Sequence, residues 1–156
     1  MSTHTTTLDL NRRESRTLPH DQDLARYLVP AARALFAFIF LISAPGHFSA
    51  QSIAYATQAG VPFAAVLVPV SGVIALLGGL SILLGYQAKI GAWLLVAFLV
   101  PVTLTMHRFW GITDPMQAMM QRVMFFKNLT ALGGALLIAY FGAGPLSFDE
   151  LKKQPS

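Results

Sequence analysis

Residues 123 to 144, VMFFKNLTALGGALLIAYFGAG, form an apolar run long enough to cross a bilayer as a helix, for which roughly 20 residues suffice. Three similar runs precede it, and together they leave few folds open. In hydrocarbon every backbone N–H and C=O must find a partner inside the chain, so such runs are helices. Lys127 and Asn128 sit near the start of the run, about one turn inside it. A cation there must snorkel, find a partner or face a wet cavity. Gly133, Gly134 and Ala135 follow, a flank small enough for another helix to approach closely.

The chain has 156 residues, 54% hydrophobic and 12% charged, against about 25% charged in soluble domains. It contains no cysteine, which excludes disulfides, thiolate zinc sites and cysteine-ligated iron–sulfur clusters. An isoelectric point near 9.8 would suit nucleic acid. The basic residues instead flank the apolar runs, as topology signals do, so no nucleic-acid partner is expected.

In chain order, residues 1–27 are polar and of mixed charge and read as a disordered cytoplasmic tail. Arg12-Arg13 loosely resembles a twin-arginine signal, but the apolar run begins too far downstream. Ile42-Ser43-Ala44 resembles a small-residue cleavage site. Pro45 follows it and should hinder cleavage, so the first run is expected to be retained as an anchor. A transmembrane domain is expected over residues 28–145, with spans at about 29–48, 63–84, 90–106 and 123–142. Arg33, one turn into the first span, is expected to snorkel to the headgroups. Residues 49–62 read as a loop without charged residues. In the second span Ser71, Ala75 and Gly79 share a face suited to close helix contact. Pro69 and Pro101 are expected to kink their helices. The turn Gly85–Lys89 makes the second and third spans an antiparallel hairpin. Asp114-Pro115 is a cap followed by a first-turn proline. A helix continuous from there to residue 142 would stand about 42 Å tall. Residues 146–156 read as a second cytoplasmic tail.

Four spans place both termini on one side. Arg12, Arg13, Arg16, Arg26, Arg33, Lys89, Lys152 and Lys153 gather there, against Arg108, Arg122 and the embedded Lys127 on the other. The positive-inside rule then puts both termini in the cytoplasm. His47 ends the first span and His107 the third, and the fourth begins on their side. His47, His107, Arg108, Gln121, Arg122, Lys127 and Asn128 therefore converge on one rim of the bundle, and all but Arg122 are candidate ligand contacts. The expectation is a polar, basic pocket near the outer leaflet, lined also by Phe109, Trp110 and Phe125.

Each of these residues also has a plainer reading. Lys127 can snorkel while Asn128 bonds backbone across a helix contact. Arg108 and Arg122 suit lipid headgroups. Trp93 and Trp110 suit the interfacial belt. Met116, Met119, Met120 and Met124 suit an adaptable apolar face better than a soft metal site. Haem between His47 and His107 is disfavoured, because both sit at helix ends beside water with no supporting second partner in view. No nucleophile–base pair stands out, so no catalytic residue is assigned and no metal is expected.

The hairpin LLGGLSILLGYQAKIGAWLLV, the run FFKNLTALGGALLIAY and the ending FGAGPLSFDEL resemble the DoxX family over roughly residues 28 to 150. That resemblance implies a four-span bacterial inner-membrane protein. It further implies a membrane subunit or anchor of a redox system, with quinone as a conceivable ligand and a soluble or membrane oxidoreductase as partner. Many family members carry a glutamate where this chain has Ala75 and a lysine near its His47. The other readings are a scaffold or assembly protein without chemistry and a small-solute or lipid carrier. Close-packing faces on the second and fourth spans also permit a homodimer. The fold expected is an all-α integral membrane bundle of four transmembrane helices with both termini inside.

Overall fold

The computed structural model describes residues 19–152, with side chains described from Arg26 onward. The tails at 1–18 and 153–156, and the expectations placed on them, lie outside the described residues. Among the described residues all regular structure is helical: α1 (Pro19–Ser43), a 3-10 segment (Ala44–Phe48), α2 (Ala50–Gln58), α3 (Ala64–Leu84), α4 (Ala88–Met106), α5 (Pro115–Phe141) and α6 (Phe148–Leu151).

Among the described residues four helices are long and apolar enough to cross a membrane. Large apolar side chains such as Leu35, Phe63, Leu137 and Tyr140 stand outward and exposed. An outward apolar surface is what a lipid solvent requires. The chain is a multi-pass membrane protein.

The helices pack in the order α1 on α3, α3 on α4 and α4 on α5. Small residues set how closely they approach, because hydrocarbon offers no hydrophobic drive between helices and contact must come from fit. Gly78 on α3 sits against Leu95 and Gly91 of α4, and Gly79 sits against Leu41 of α1. Ala75, on the same side of α3, is fully buried with Ala37, Ala92 and Ala135. Gly134 of α5 receives the ring of Phe36 from α1, and a Cβ there would come within 2.7 Å of it. Gly133 has nothing near it, so of the expected glycine pair only the second serves this contact. α5 is one continuous helix of 27 residues, about 40 Å long.

Three expectations are corrected. The first helix begins at Pro19, so residues 19–27, read as part of a disordered tail, are helical ahead of the apolar span Arg26–Phe48. The segment read as a loop contains α2. Ser49 starts it, its hydroxyl accepting from the Ser52 N–H at 3.1 Å and donating to the Gly46 carbonyl at 2.8 Å. Ala56, on the opposite side of α2, is fully buried.

The third correction concerns Arg33, which does not snorkel. It is buried, and its guanidinium donates to the carbonyls of Ala143 and Leu146, each at 2.7 Å. The chain after α5 folds back to meet it. The Asp149 carboxylate accepts from the N–H groups of Gln87 (2.7 Å) and Ala88 (2.9 Å), capping α4 from sixty residues away. Glu150 accepts from the Leu146 N–H, and the Asp149 N–H donates to the Gly85 carbonyl. Gly85 has a left-handed φ of +64°, and a Cβ there would collide with Ser147 and Arg33. Residues 142–152 are thus a clasp that ties α1, the α3–α4 turn and α5 together at the end bearing the termini.

This clasp is testable. Arg33→Met removes two charge-assisted hydrogen bonds, each contributing about 1.5–3 kcal/mol, and should lower the melting midpoint in mild detergent by several degrees. Asp149→Ala should cost less, about 0.5–2 kcal/mol, as loss of a helix cap does. Circular dichroism melts of the full chain check both, and an unchanged Arg33→Met midpoint would refute the clasp.

Candidate functional site

The end of the bundle opposite the clasp holds a cavity of about 990 Å³, at the top of the roughly 300–1,000 Å³ range of small-molecule sites. α1 and the 3-10 segment supply Phe40, Ser43 and His47; α2 supplies Gln51 and Tyr55; α3 supplies Ser71 and Ile74. Phe98, Leu99 and Pro101 come from α4, and Lys127, Asn128 and Ala131 from α5. The lining is mostly apolar. Phe40 and Phe98 meet edge to face with centroids 6.3 Å apart, and the His47 ring lies 5.6 Å from Phe98.

His47 is placed by the break Ala44-Pro45-Gly46, which turns α1 into a 3-10 segment. Gly72 makes room for it, because a Cβ at residue 72 would lie 2.6 Å from the His47 Cβ. The His47 Nδ1 lies 2.9 Å from the Ser71 hydroxyl, which itself donates to the Val68 carbonyl at 2.7 Å. The hydroxyl proton is committed to the backbone, so His47 donates from Nδ1 and leaves Nε2 free to accept. This also removes Ser71–His47 as a nucleophile–base pair, since the histidine does not accept the serine proton.

His107 follows α4. Its Nδ1 lies 2.9 Å from the Gln121 Oε1, and the Gln121 amide donates to the Tyr55 hydroxyl at 2.8 Å. The Tyr55 hydroxyl donates in turn to the Met106 carbonyl at 3.4 Å. This chain of contacts pins α2 across the ends of α4 and α5. Burial lowers the His107 pKa below the ordinary imidazole value; the Gln121 hydrogen bond opposes the shift and the nearby Lys127 charge adds to it.

Of the six candidate ligand contacts expected at this rim, His47, His107, Lys127 and Asn128 line the one cavity. Gln121 and Arg108 border a smaller depression of about 230 Å³ beside it, with Gln121 bonded to His107. Lys127 stands exposed at the rim, while Asn128, the next residue round the helix, is turned inward and only 8% exposed. The aromatic residues expected to line the pocket do not line it. Phe109, Trp110 and Phe125 stack on one another with centroids 5.3 to 5.9 Å apart, and Arg122 lies 5.4 Å from the Phe109 ring. They prefer aromatic edges and interfacial exposure to the cavity. Met116, Met119 and Met120 are also exposed. Among the described residues there is no cluster of three or more His, Cys, Asp or Glu able to hold a metal.

Ser71 and Tyr55 are the polar partners that the sequence did not reveal as such. Ser71 reads as a small packing residue, and Tyr55 lies in the segment taken for a loop. The only local signal was Ser49 as a helix start.

The SURF4 family model matches residues 10–155. The chain belongs to the SURF4 family. It is 31% identical over 81 residues to the ER-derived vesicles protein ERV29 of Saccharomyces cerevisiae, covering 52% of this chain and 26% of that protein. It is 36% identical over 75 residues to the Surfeit locus protein 4 homolog of Drosophila melanogaster, covering 47% of this chain and 27% of that one. An uncharacterized protein of Caenorhabditis elegans, T02E1.7, is 34% identical over 71 residues, 46% of this chain and 26% of that one. The chain thus spans about a quarter of the length of these curated relatives. No solved structure matches it.

SURF4 membership corrects the DoxX resemblance. Paired glycines and a lysine near a helix end recur wherever membrane helices pack closely and reach an interface, so those passages do not single out one family. The redox subunit, its oxidoreductase partner and the bacterial inner membrane were expected from that resemblance and are withdrawn with it.

The His107 environment sets a pH dependence. An unfolded histidine takes up a proton near pH 6.5, whereas the folded site resists it. As pH falls through that value the unfolded state binds more protons, so stability falls until the folded pKa is passed. The melting midpoint in detergent should therefore be lower at about pH 5 than at about pH 7.5. His107→Gln should reduce that difference, and an unaltered difference in the variant would refute the assignment.

Proposed function

We propose that the chain is a membrane-embedded binding component of a vesicle-forming membrane that holds a guest in the cavity bounded by His47, Asn128 and Phe98. Its membership in the SURF4 family, with a relative named as a protein of ER-derived vesicles, carries the vesicle part of this reading. The mostly apolar cavity with a few convergent polar groups supports the guest. Arg26, Lys89 and Lys152 lie at the clasp end, which favours both termini in the cytoplasm. The cavity then faces the compartment a vesicle encloses. Binding is favoured over catalysis because the Ser71 hydroxyl donates to the Val68 carbonyl and accepts from His47, so the two do not form a nucleophile–base pair.

The vesicle reading is tested by placing the epitope-tagged full chain in yeast microsomes and reconstituting budding. The chain should be enriched in the budded fraction to the degree that the yeast relative is. Retention in the donor membrane at the level of a resident protein would overturn it.

A further inference from the structure

Resting on the reading of the cavity as a guest site, we propose that the guest is a bilayer amphiphile with an anionic head, its head on Lys127 and Asn128 and its chain along Phe40, Ile74, Phe98 and Leu99.

Lys127 sits at the rim of an apolar cavity within a membrane-spanning helix, where an uncompensated cation is costly. The described carboxylates are all remote from it. Asp114 caps the start of α5, thirteen residues and about 20 Å away along the helix. Asp149 and Glu150 lie in the clasp at the other end, engaged with Gln87, Ala88 and Leu146. The other titratable groups facing the cavity from the packed elements are His47, His107 and Tyr55. None is an acid of the carboxylate kind, so an anion at Lys127 meets attraction and no repulsion.

Asn128 gives the second, independent observation. It is 8% exposed and lines the cavity, and no described residue hydrogen-bonds its side-chain amide. Its amide atoms keep access to the cavity and are free to bond a guest. An amide beside an ammonium offers two kinds of donor to a carboxylate or phosphate oxygen.

Phe36 against Gly134, and Arg33 on the carbonyls after α5, join α1 to α5 on the clasp side of the cavity. Toward the rim both helices line the cavity, α1 with Ile39, Phe40 and Ser43 and α5 with Lys127, Asn128 and Ala131. An amphiphile moving in the leaflet reaches this seam sideways, chain first into an apolar slot, with its head kept at the depth of Lys127. A water-soluble anion would lack any use for the apolar walls.

The test uses the purified full chain in nanodiscs of phosphatidylcholine and photoactivatable palmitic acid as probe, with the matching fatty alcohol as the neutral control. Palmitic acid should label α1 and α5 residues of the cavity, and the alcohol should label them weakly. Lys127→Met should cut labelling by about tenfold or more, the loss of roughly one charge-assisted hydrogen bond. Lys127→Arg should keep it. Lys127 is exposed and has no hydrogen-bond partner among the described residues, so neither change should lower the melting midpoint. Asn128→Leu, of similar bulk, should also weaken labelling. Equal labelling by acid and alcohol, or full labelling of Lys127→Met, would overturn the anionic head while leaving the cavity a guest site. Protection of Lys127 from acylation by inorganic phosphate alone, to the same degree as by palmitic acid, would overturn the amphiphile. Labelling by neither probe would overturn both this inference and the guest site itself.

Discussion

A polar group in a bilayer has no water to fall back on, and this chain gives its buried arginine two acceptors by folding its own end back over it. Arg33, within α1, reaches the carbonyls of Ala143 and Leu146, which follow the last membrane helix, while its Nε stays without a partner. Those carbonyls belong to the segment that follows α5, where no helical ladder supplies them with donors. One guanidinium therefore finds two buried acceptors and fixes that segment against α1. The carboxylate of Asp149 does the reverse for α4, supplying acceptors to N–H groups that Gln87 cannot cap itself. The bundle is closed at this end by complementary unsatisfied groups from distant parts of the chain.

The other end lacks such closure, and the cavity follows from that. α1, α3, α4 and α5 are held pairwise by glycine and alanine contacts, which need close backbone approach. Where Pro45 and Gly46 end α1 early and α2 turns aside, the approach cannot continue. The space left is walled by α1 and α5 and crossed by α2, which Tyr55 ties to Met106 and Gln121. Rigidity at the clasp and room at the rim are two consequences of where the small residues stop.

Polar groups at the rim divide into those that hold the frame and those that do not. His47 and His107 direct Nδ1 at Ser71 and Gln121 and so set the frame. Lys127 and Asn128 have no such engagement among the described residues, although they sit on the same helix turn. This separates a structural pair from a pair available to a guest. Sequence alone treats all four as equivalent polar residues near helix ends.

Hydropathy and run length determined from sequence alone that the chain has four membrane helices, because hydrocarbon tolerates no unpaired backbone and each span is satisfied locally. The even number of spans also determined that His47, His107, Lys127 and Asn128 meet at one end. The hairpin at Gly85 and the start of α5 at Asp114-Pro115 were equally legible, since turn and cap chemistry is local. Other features were decided only by tertiary structure. Arg33 could be read as snorkelling because its partners lie more than a hundred residues on. The segment 146–152 could be read as a tail because its value as a cap exists only beside α4. α2 was missed because a helix of nine residues is marginal by itself and is held by the surface α3 gives it. Phe109, Trp110 and Phe125 share the rim with the cavity, yet only the path of the α4–α5 connection and the rotation of α5 decide that they pack on one another outside it. Sequence sets which groups lie at which depth; the azimuth of each helix, fixed by side-chain fit across the whole bundle, decides which of them face one another.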